Sequence, residues 1–234
     1  VDEVKFYDET FTLDRQRVVD ICRLIRRRGI RIAWEIRTRP DLFDADLARE
    51  LHRSGCYRVC MGVEGGSDSR LERMGRRYSL DQVYPAFAAA KRYGMSTLAY
   101  FMIGYPGDCY QDYLDVIRTA RRIAPSWVVI AVTTAYANTP IYEDSLASGR
   151  LAVDVWREFS RGTLPYPSMD AVTFDGRDYP KQRLYRMQQR AHWRFYLHPR
   201  QIFRILREIR TGSQMGKFFR TALAFARATI FPSS

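Results

Sequence analysis

The stretch GCYRVCMGVEGGSDSRLERMGR, residues 55–76, decides how this chain folds. Its first half alternates with a period of two. Arg58, Cys60, Gly62 and Glu64 fall on one face of a strand, and Tyr57, Val59, Met61 and Val63 on the other. The alternation stops at Gly65-Gly66, and the residues beyond that turn have helical character, so the stretch reads as strand, turn and helix. Cys56 and Cys60 invite a metal reading that the geometry refuses. Four residues of strand span roughly 13 Å, too far for two thiolates to share one ion. Neither His52 nor the pair His192 and His198 completes a zinc-type spacing with them. Both cysteines read as small buried side chains, Cys56 in the loop entering the strand and Glu64 reaching the strand's far end.

The same unit recurs on either side. β-rich runs occur at EVKFYDE (3–9), IRIAWEIRT (30–38), STLAYFMIG (96–104) and SWVVIAVTT (126–134), each followed by helical spacing of apolar residues, as in Val18, Ile21, Cys22 and Ile25, or Tyr84, Phe87 and Ala88. Gly29, Gly55 and Gly94 mark helix ends, where a left-handed residue is needed. Asp44, Ser79 and Asp108 are the expected N-caps. Five βα units in succession predict an α/β fold with a parallel sheet, open or closed into a barrel. A barrel is favoured because no G-x-G-x-x-G follows any strand and because polar residues gather where strands end: Asp8, Glu9 and Thr10; Glu35, Arg37, Thr38 and Arg39; Glu64; Thr133 and Thr134.

With 234 residues, 46% of them hydrophobic, the chain can bury one substantial core and has no disordered composition. Four scattered cysteines form no disulfide framework. No charged leader or apolar run near 20 residues is present, so the expected compartment is the cytoplasm. Charge is unevenly placed: from Arg177 onward thirteen Lys and Arg face only Asp178 and Glu208, which puts +11 of the +12 net charge in that segment. The expected organisation is a barrel region over 1–148, a Pro- and Gly-containing linker or elaborated loop over 149–180, and a basic helical extension over 181–234. In HPRQIFRILREIR (198–210) the apolar Ile202, Ile205, Leu206 and Ile209 are expected to pack, with Arg204, Arg207 and Arg210 pointing away. MGKFFRTALAFARATIF (215–231) reads as a docked terminal helix, with a peripheral membrane or partner contact as the other option.

FYDETFTLD, the stretch from RTRPDLF to MGR, FMIGYPGD and TAYANTPIYED resemble, in order and spacing, the radical S-adenosylmethionine (SAM) enzymes. The branch is the one with Gly-Val-Glu-Ser-Gly-Ser and Gly-Leu-Pro-Gly motifs, and the resemblance covers residues 1 to about 148. It implies a partial parallel (β/α)6 TIM-like barrel and a [4Fe-4S] cluster held by three cysteines spaced C-x3-C-x2-C. The chain begins at what matches the family's second strand, so the resemblance places the cluster loop and the first strand upstream of Val1. Cys56 and Cys60 match only the first spacing, and Val63 stands at the third position.

The remaining family roles carry over by position. Asp8, Glu9 and Thr10 match the strand end that holds the SAM amino group, Glu64 the acid that reaches the SAM ribose or its amino-acid end, and Arg76 the cation that pairs with the SAM carboxylate. Tyr100 and Gly104 match positions beside the adenosine, and Arg39 a Thr-Arg at the third strand. Gly65 replaces the usual serine. WRFYLHPRQIFRILREIRTG (193–212) resembles the segment after the barrel in cobalamin-dependent radical SAM enzymes, the group of anaerobic Mg-protoporphyrin ester cyclases and C-methyltransferases. The resemblance therefore implies a 5′-deoxyadenosyl radical, cobalamin held by an upstream domain, a small-molecule substrate, and a reductant such as flavodoxin or ferredoxin. It assigns this stretch of chain to positioning SAM and substrate rather than to holding iron. Two other readings fit the residues: a radical SAM enzyme that modifies tRNA, with the basic tail as its RNA footprint, and a degenerate barrel acting as an interaction protein.

Overall fold

The computed structural model describes residues 3–167 and 179–208, with side chains as far as residue 204. Five strands, β1 (Glu3–Lys5), β2 (Ala33–Thr38), β3 (Cys56–Glu64), β4 (Ser96–Ile103) and β5 (Trp127–Val132), pair in parallel in sequence order. They form a curled half-barrel. Helices α1 (Arg15–Arg27), α2 (Ala45–Arg53), α3 (Asp68–Arg73), α4 (Leu80–Arg92) and α5 (Tyr110–Ile123) connect the strands, as parallel pairing requires. The alternation in the strands is what builds the core. Trp34, Ile36, Val59, Met61, Val63, Ala99, Phe101 and Ile130 are buried in one continuous apolar cluster with Val18, Leu47, Leu51, Phe87 and Val116 of the helices. The intervening Glu35, Arg58, Tyr100 and Met102 are only partly buried and line the concave inner face.

The expected helix stops hold. Gly29, Gly55 and Gly94 have φ of +63°, +95° and +69°, which only glycine adopts cheaply. Asp44 caps α2 by accepting the Leu47 N–H at 2.9 Å, and Ser79 caps α4. Asp108 does not cap α5. Cys109 takes that position, because the Asp108 carboxylate is committed to a guanidinium from another loop.

β3 carries two irregularities that strict alternation misses. Cys56 pairs with Trp34 but Arg58 pairs with Glu35, so Tyr57 is an extra residue in a bulge. Tyr57 therefore turns to the inner face, where its hydroxyl lies 2.5 Å from Glu3 Oε1 and 3.0 Å from Glu35 Oε2, and not to the face of Val59. Cys56 is a strand residue rather than a loop residue, and belongs to the helix-side core. A second shift lies between Gly62 and Glu64.

Beyond β5 come α6 (Pro140–Ala147), α7 (Val155–Ser160), α8 (Lys181–Tyr196) and α9 (Pro199–Glu208). The 151–167 stretch folds back on α6: Leu151 and Tyr142 form a small second core with Ala135, and Asp154 accepts the Tyr142 hydroxyl at 2.8 Å. α8 seals the edge of the sheet. Gln188 Nε2 donates to Ile130 O at 2.7 Å, the Ile130 N–H donates to His192 Nε2 at 3.2 Å, and the Tyr196 hydroxyl both accepts the Val128 N–H at 3.0 Å and donates to Val128 O at 2.9 Å. Side chains four apart on a helix thus satisfy the backbone groups that a sixth strand would take.

In α9 two of the expected positions are exchanged, while Ile205, Leu206, Arg207, Ile209 and Arg210 lie outside the residues whose side chains are described. Gln201 is 3% exposed and Arg204 reaches the backbone of residues 124 and 125, while Ile202 and Phe203 are 42% and 62% exposed. The carbonyls at the end of α5 and the start of β5 demand donors, and a guanidinium and an amide supply them where an isoleucine cannot. The 215–231 stretch lies outside the described residues. No helix among the described residues is long and apolar enough to cross a membrane.

Candidate functional site

The loops that leave β3 and β4 meet at the carboxyl edge of the sheet. Glu64, last in β3, has φ +63°, a left-handed conformation that a non-glycine residue holds at a cost of about 1–2 kcal/mol. Its carboxylate folds back over Gly62. A Cβ on that glycine would lie 2.5 Å from Glu64 Oε1, so a side chain at 62 and the carboxylate compete for one space. Burial pushes the Glu64 carboxyl above its ordinary value, opposed by the nearby guanidiniums of Arg76 and Arg70. Arg76 Nη2 stands 3.8 Å from Glu64 Oε1, with 41% of its side chain exposed. Tyr78 donates to Gly62 O at 2.9 Å and steadies the strand from beneath.

The turn after Glu64 is pinned twice. Gly66 lies directly on α5, where a Cβ would come within 2.2 Å of the backbone at Asp115 and Val116, and Thr119 Oγ1 donates to Gly66 O at 2.9 Å. Arg70, with a fully buried side chain, forms two 2.8 Å bonds to the Asp108 carboxylate through Nε and Nη2 and donates through Nη1 to Glu64 O at 2.8 Å. Asp108 also accepts the Tyr105 N–H at 2.9 Å, and Arg73 lies 3.6 Å from it. A single guanidinium thereby locks the loop after β3 to the loop after β4. Bidentate geometry and burial make this a strong tie.

Glu64 and Arg76 are brought together, and Tyr100 stands beside them, paired in register with Gly62 on the inner face. Gly104 has φ +76°, and the space of its missing Cβ is approached to 2.8 Å by Leu184 of α8. That close neighbour is protein. Asp8, Glu9 and Thr10 lie in the loop after β1, where Asp8 pairs with Arg17 at 3.4 Å. Arg39 closes on Asp41 at 2.7 Å, two residues away. Asp8 thus pairs with α1 and Arg39 within its own loop, and neither pair joins Glu64 and Arg76.

A second polar group lies on the inner face, bringing Glu35 and Arg37 together with Arg58, which the sequence reading named on separate strands without joining them. Glu35 accepts from Arg58 Nη1 at 3.1 Å, with Lys5 Nζ 3.7 Å away, and the Arg37 guanidinium stacks 4.6 Å over the Tyr7 ring. Arg58 Nε is buried without a hydrogen-bond partner. Cys60 sits among these charges, its thiol pushed up to about 11 by burial. The available signal was the alternation itself, which puts Glu35, Arg37 and Arg58 on the side away from the helices. The cysteines do not converge: Cys22 and Cys56 lie in the helix-side core, Cys60 is on the inner face, and Cys109 is exposed. Among the described residues no three His, Cys, Asp or Glu side chains are placed to hold a metal ion.

The family model described as the Radical SAM superfamily matches residues 1–120. An uncharacterized methyltransferase of Pyrococcus horikoshii is 27% identical over 200 residues, which are 86% of this chain and 42% of the relative. The anaerobic magnesium-protoporphyrin IX monomethyl ester cyclase of Rubrivivax gelatinosus is 22% identical over 139 residues, covering 58% of this chain and 25% of the cyclase. The chain thus spans less than half the length of the curated relatives it matches. Among solved structures, the cobalamin-dependent S-adenosylmethionine radical enzyme OxsB, with aqua-cobalamin bound, shares the fold at a TM-score of 0.61 and 14% identity over 97% of this chain and 39% of its own.

Proposed function

The chain belongs to the radical SAM superfamily, and we propose that it is the SAM-binding and substrate-positioning part of a cobalamin-dependent enzyme that transfers a methyl group to, or oxidatively cyclises at, an unactivated carbon. The observation that carries this is the Glu64–Arg76 pair at the carboxyl edge of the sheet. A carboxylate and a half-exposed guanidinium this close match the charges of the amino-acid end of a SAM molecule. Arg76 takes the carboxylate of the amino-acid end, and Glu64 accepts from the ammonium or from ribose hydroxyls. Tyr100 and Gly104 flank the adenosine. The inner face supplies substrate contacts, charged along β2 and β3 and apolar at Leu98, Met102 and Val129.

An iron–sulfur cluster does not fit the described residues, because their thiols point to different sides of the sheet. In a radical SAM enzyme the cluster and SAM together supply a 5′-deoxyadenosyl radical. This chain contributes what surrounds that chemistry: a rigid strand end, a buried carboxylate and a cation that fix SAM in one orientation. Cobalamin belongs to the reading through the resemblance of residues 193–212 and the fold neighbour's bound aqua-cobalamin. The substrate is a small molecule, and a flavodoxin- or ferredoxin-type protein supplies electrons.

The complete gene product, reconstituted anaerobically, is expected to cleave SAM to 5′-deoxyadenosine and to purify with or take up cobalamin. An assembled cluster without SAM cleavage would sink the enzyme reading, and cleavage without cobalamin uptake would sink the branch.

A further inference from the structure

The surplus of positive charge in the last quarter of the chain has no part in the strand-end site. Two of its described members, Arg200 and Arg204, instead lie at the other end of the sheet. α5 and α8 both terminate there, β5 and α9 both begin there, and between them lies a cavity of about 450 Å³ lined by Arg121, Arg122, His198, Arg200, Gln201 and Arg204 together with Ala124 and Phe195. Two of the arginines come from the barrel and two from the basic extension. Among the described residues that line the cavity, none is acidic.

The partners of Arg121 and Arg122 orient these cations without neutralising them. Arg121 Nη2 donates to Arg194 O at 2.9 Å. Arg204 Nη1 donates to Ala124 O, to Pro125 O at 3.2 Å and to Gln201 Oε1 at 2.9 Å. Arg122 lies 4.0 Å over the Tyr84 ring. Lys91 donates to Ile123 O next to the cluster, and burial together with the Arg204 charge pulls its ammonium down to about 8. A carbonyl and a ring orient the Arg121 and Arg122 guanidiniums but carry no formal charge, so the mutual repulsion of these neighbours persists. An oxyanion entering the cavity would meet several N–H donors in fork geometry and would relieve that repulsion, which is the chemistry by which arginines select phosphate.

We propose that this cavity is a binding site for a phosphoryl group, separate from the strand-end site. Its size admits a phosphate or pyrophosphate with part of its carrier. The shared chemistry could be presented by a small phosphorylated molecule or by the backbone of an RNA, and the test separates the two. The full chain is titrated with inorganic phosphate and with pyrophosphate by calorimetry, and in a parallel arm with a single-stranded RNA oligonucleotide in competition with pyrophosphate. Saturable one-to-one binding of pyrophosphate is expected. Arg200→Glu and, separately, Arg122→Glu are expected to weaken it by about tenfold or more while circular dichroism stays unchanged. A small-ligand site leaves pyrophosphate binding insensitive to the oligonucleotide; an RNA site shows competition that fades steeply with salt. No saturation by either probe up to about 10 mM, or affinity that survives both charge reversals, overturns the proposal. Because Arg200 and Arg122 take no part in the strand-end site, the outcome is independent of the SAM reading.

Discussion

Glu64 concentrates the site's tension in one residue. Its backbone is left-handed, its carboxyl is pushed up by burial, and its side chain occupies the space that Gly62 vacates. Glu64→Gly is therefore expected to hold or raise the melting temperature, since glycine relieves about 1–2 kcal/mol of backbone strain. The same variant is expected to weaken SAM binding by tenfold or more, roughly the loss of one charge-assisted contact. Calorimetry and a thermal melt on one preparation check both halves. Arg70 gives the opposite signature. Arg70→Met strips the buried Asp108 carboxylate of its two 2.8 Å bonds, leaving Arg73 at 3.6 Å as its remaining cation, and is expected to cost about 3–5 kcal/mol in a denaturant titration, whereas Arg70→Met combined with Asp108→Leu recovers most of it. Glu64 was legible in the sequence as a strand end, and Arg76 through the resemblance to the radical SAM enzymes. Arg70 was not: its partner Asp108 is 38 residues away, and nothing local separates it from the neighbouring surface arginines.

At the scale of elements, the five βα units could be read directly, because the helix-facing residues of each strand are apolar and the glycines that end the helices stand where left-handed backbone is required. What periodicity could not reveal is where the period breaks. The bulge at Tyr57 turns one tyrosine inward and puts Cys56 and Cys60 on opposite faces, a displacement that only the pairing partner defines. Ile202 and Arg204 of α9 were misread for a related reason: counting hydrophobic residues assumes that arginines face water, while the carbonyls at the end of α5 required this one. α8 supplies a pH prediction. His192 must keep Nε2 unprotonated to accept the Ile130 N–H, and burial holds its pKa below the ordinary 6.5. The unfolded chain then takes up a proton that the folded one refuses, so this contribution to stability is intact above pH 6.5 and is lost as pH falls below it. Melting temperature is expected to drop between pH 7.5 and 5.5 more steeply in the native chain than in His192→Gln, in scans at constant ionic strength.

Across the whole molecule the two ends of the sheet differ in charge. The carboxyl edge pairs its cations with carboxylates, as in Arg70 with Asp108, Arg73 with Asp112 and Arg76 with Glu64, whereas at the amino edge Arg121 and Arg122 stand against a carbonyl and a ring. Multivalent oxyanions are therefore expected to raise the melting temperature more than chloride at equal ionic strength, through preferential binding to the folded state. Equal shifts from sulfate, phosphate and chloride would mean that screening alone is at work. The fold and the strand end at Glu64 were written in local pattern, but this division of charge between the ends was not, since it forms only when segments some 80 residues apart in sequence meet.

The seal that α8 places on β5 gives the sheet a direction of growth. Three side chains of one helix occupy the backbone groups of Val128 and Ile130, so no strand, from this molecule or another, can add there without first displacing the helix. β1, three residues long and the other border of the sheet among the described residues, carries no such stopper. Any enlargement of the half-barrel, whether by neighbouring sequence or by a second molecule, can proceed from one side only, and it would extend the inner face outward from Glu3 and Lys5.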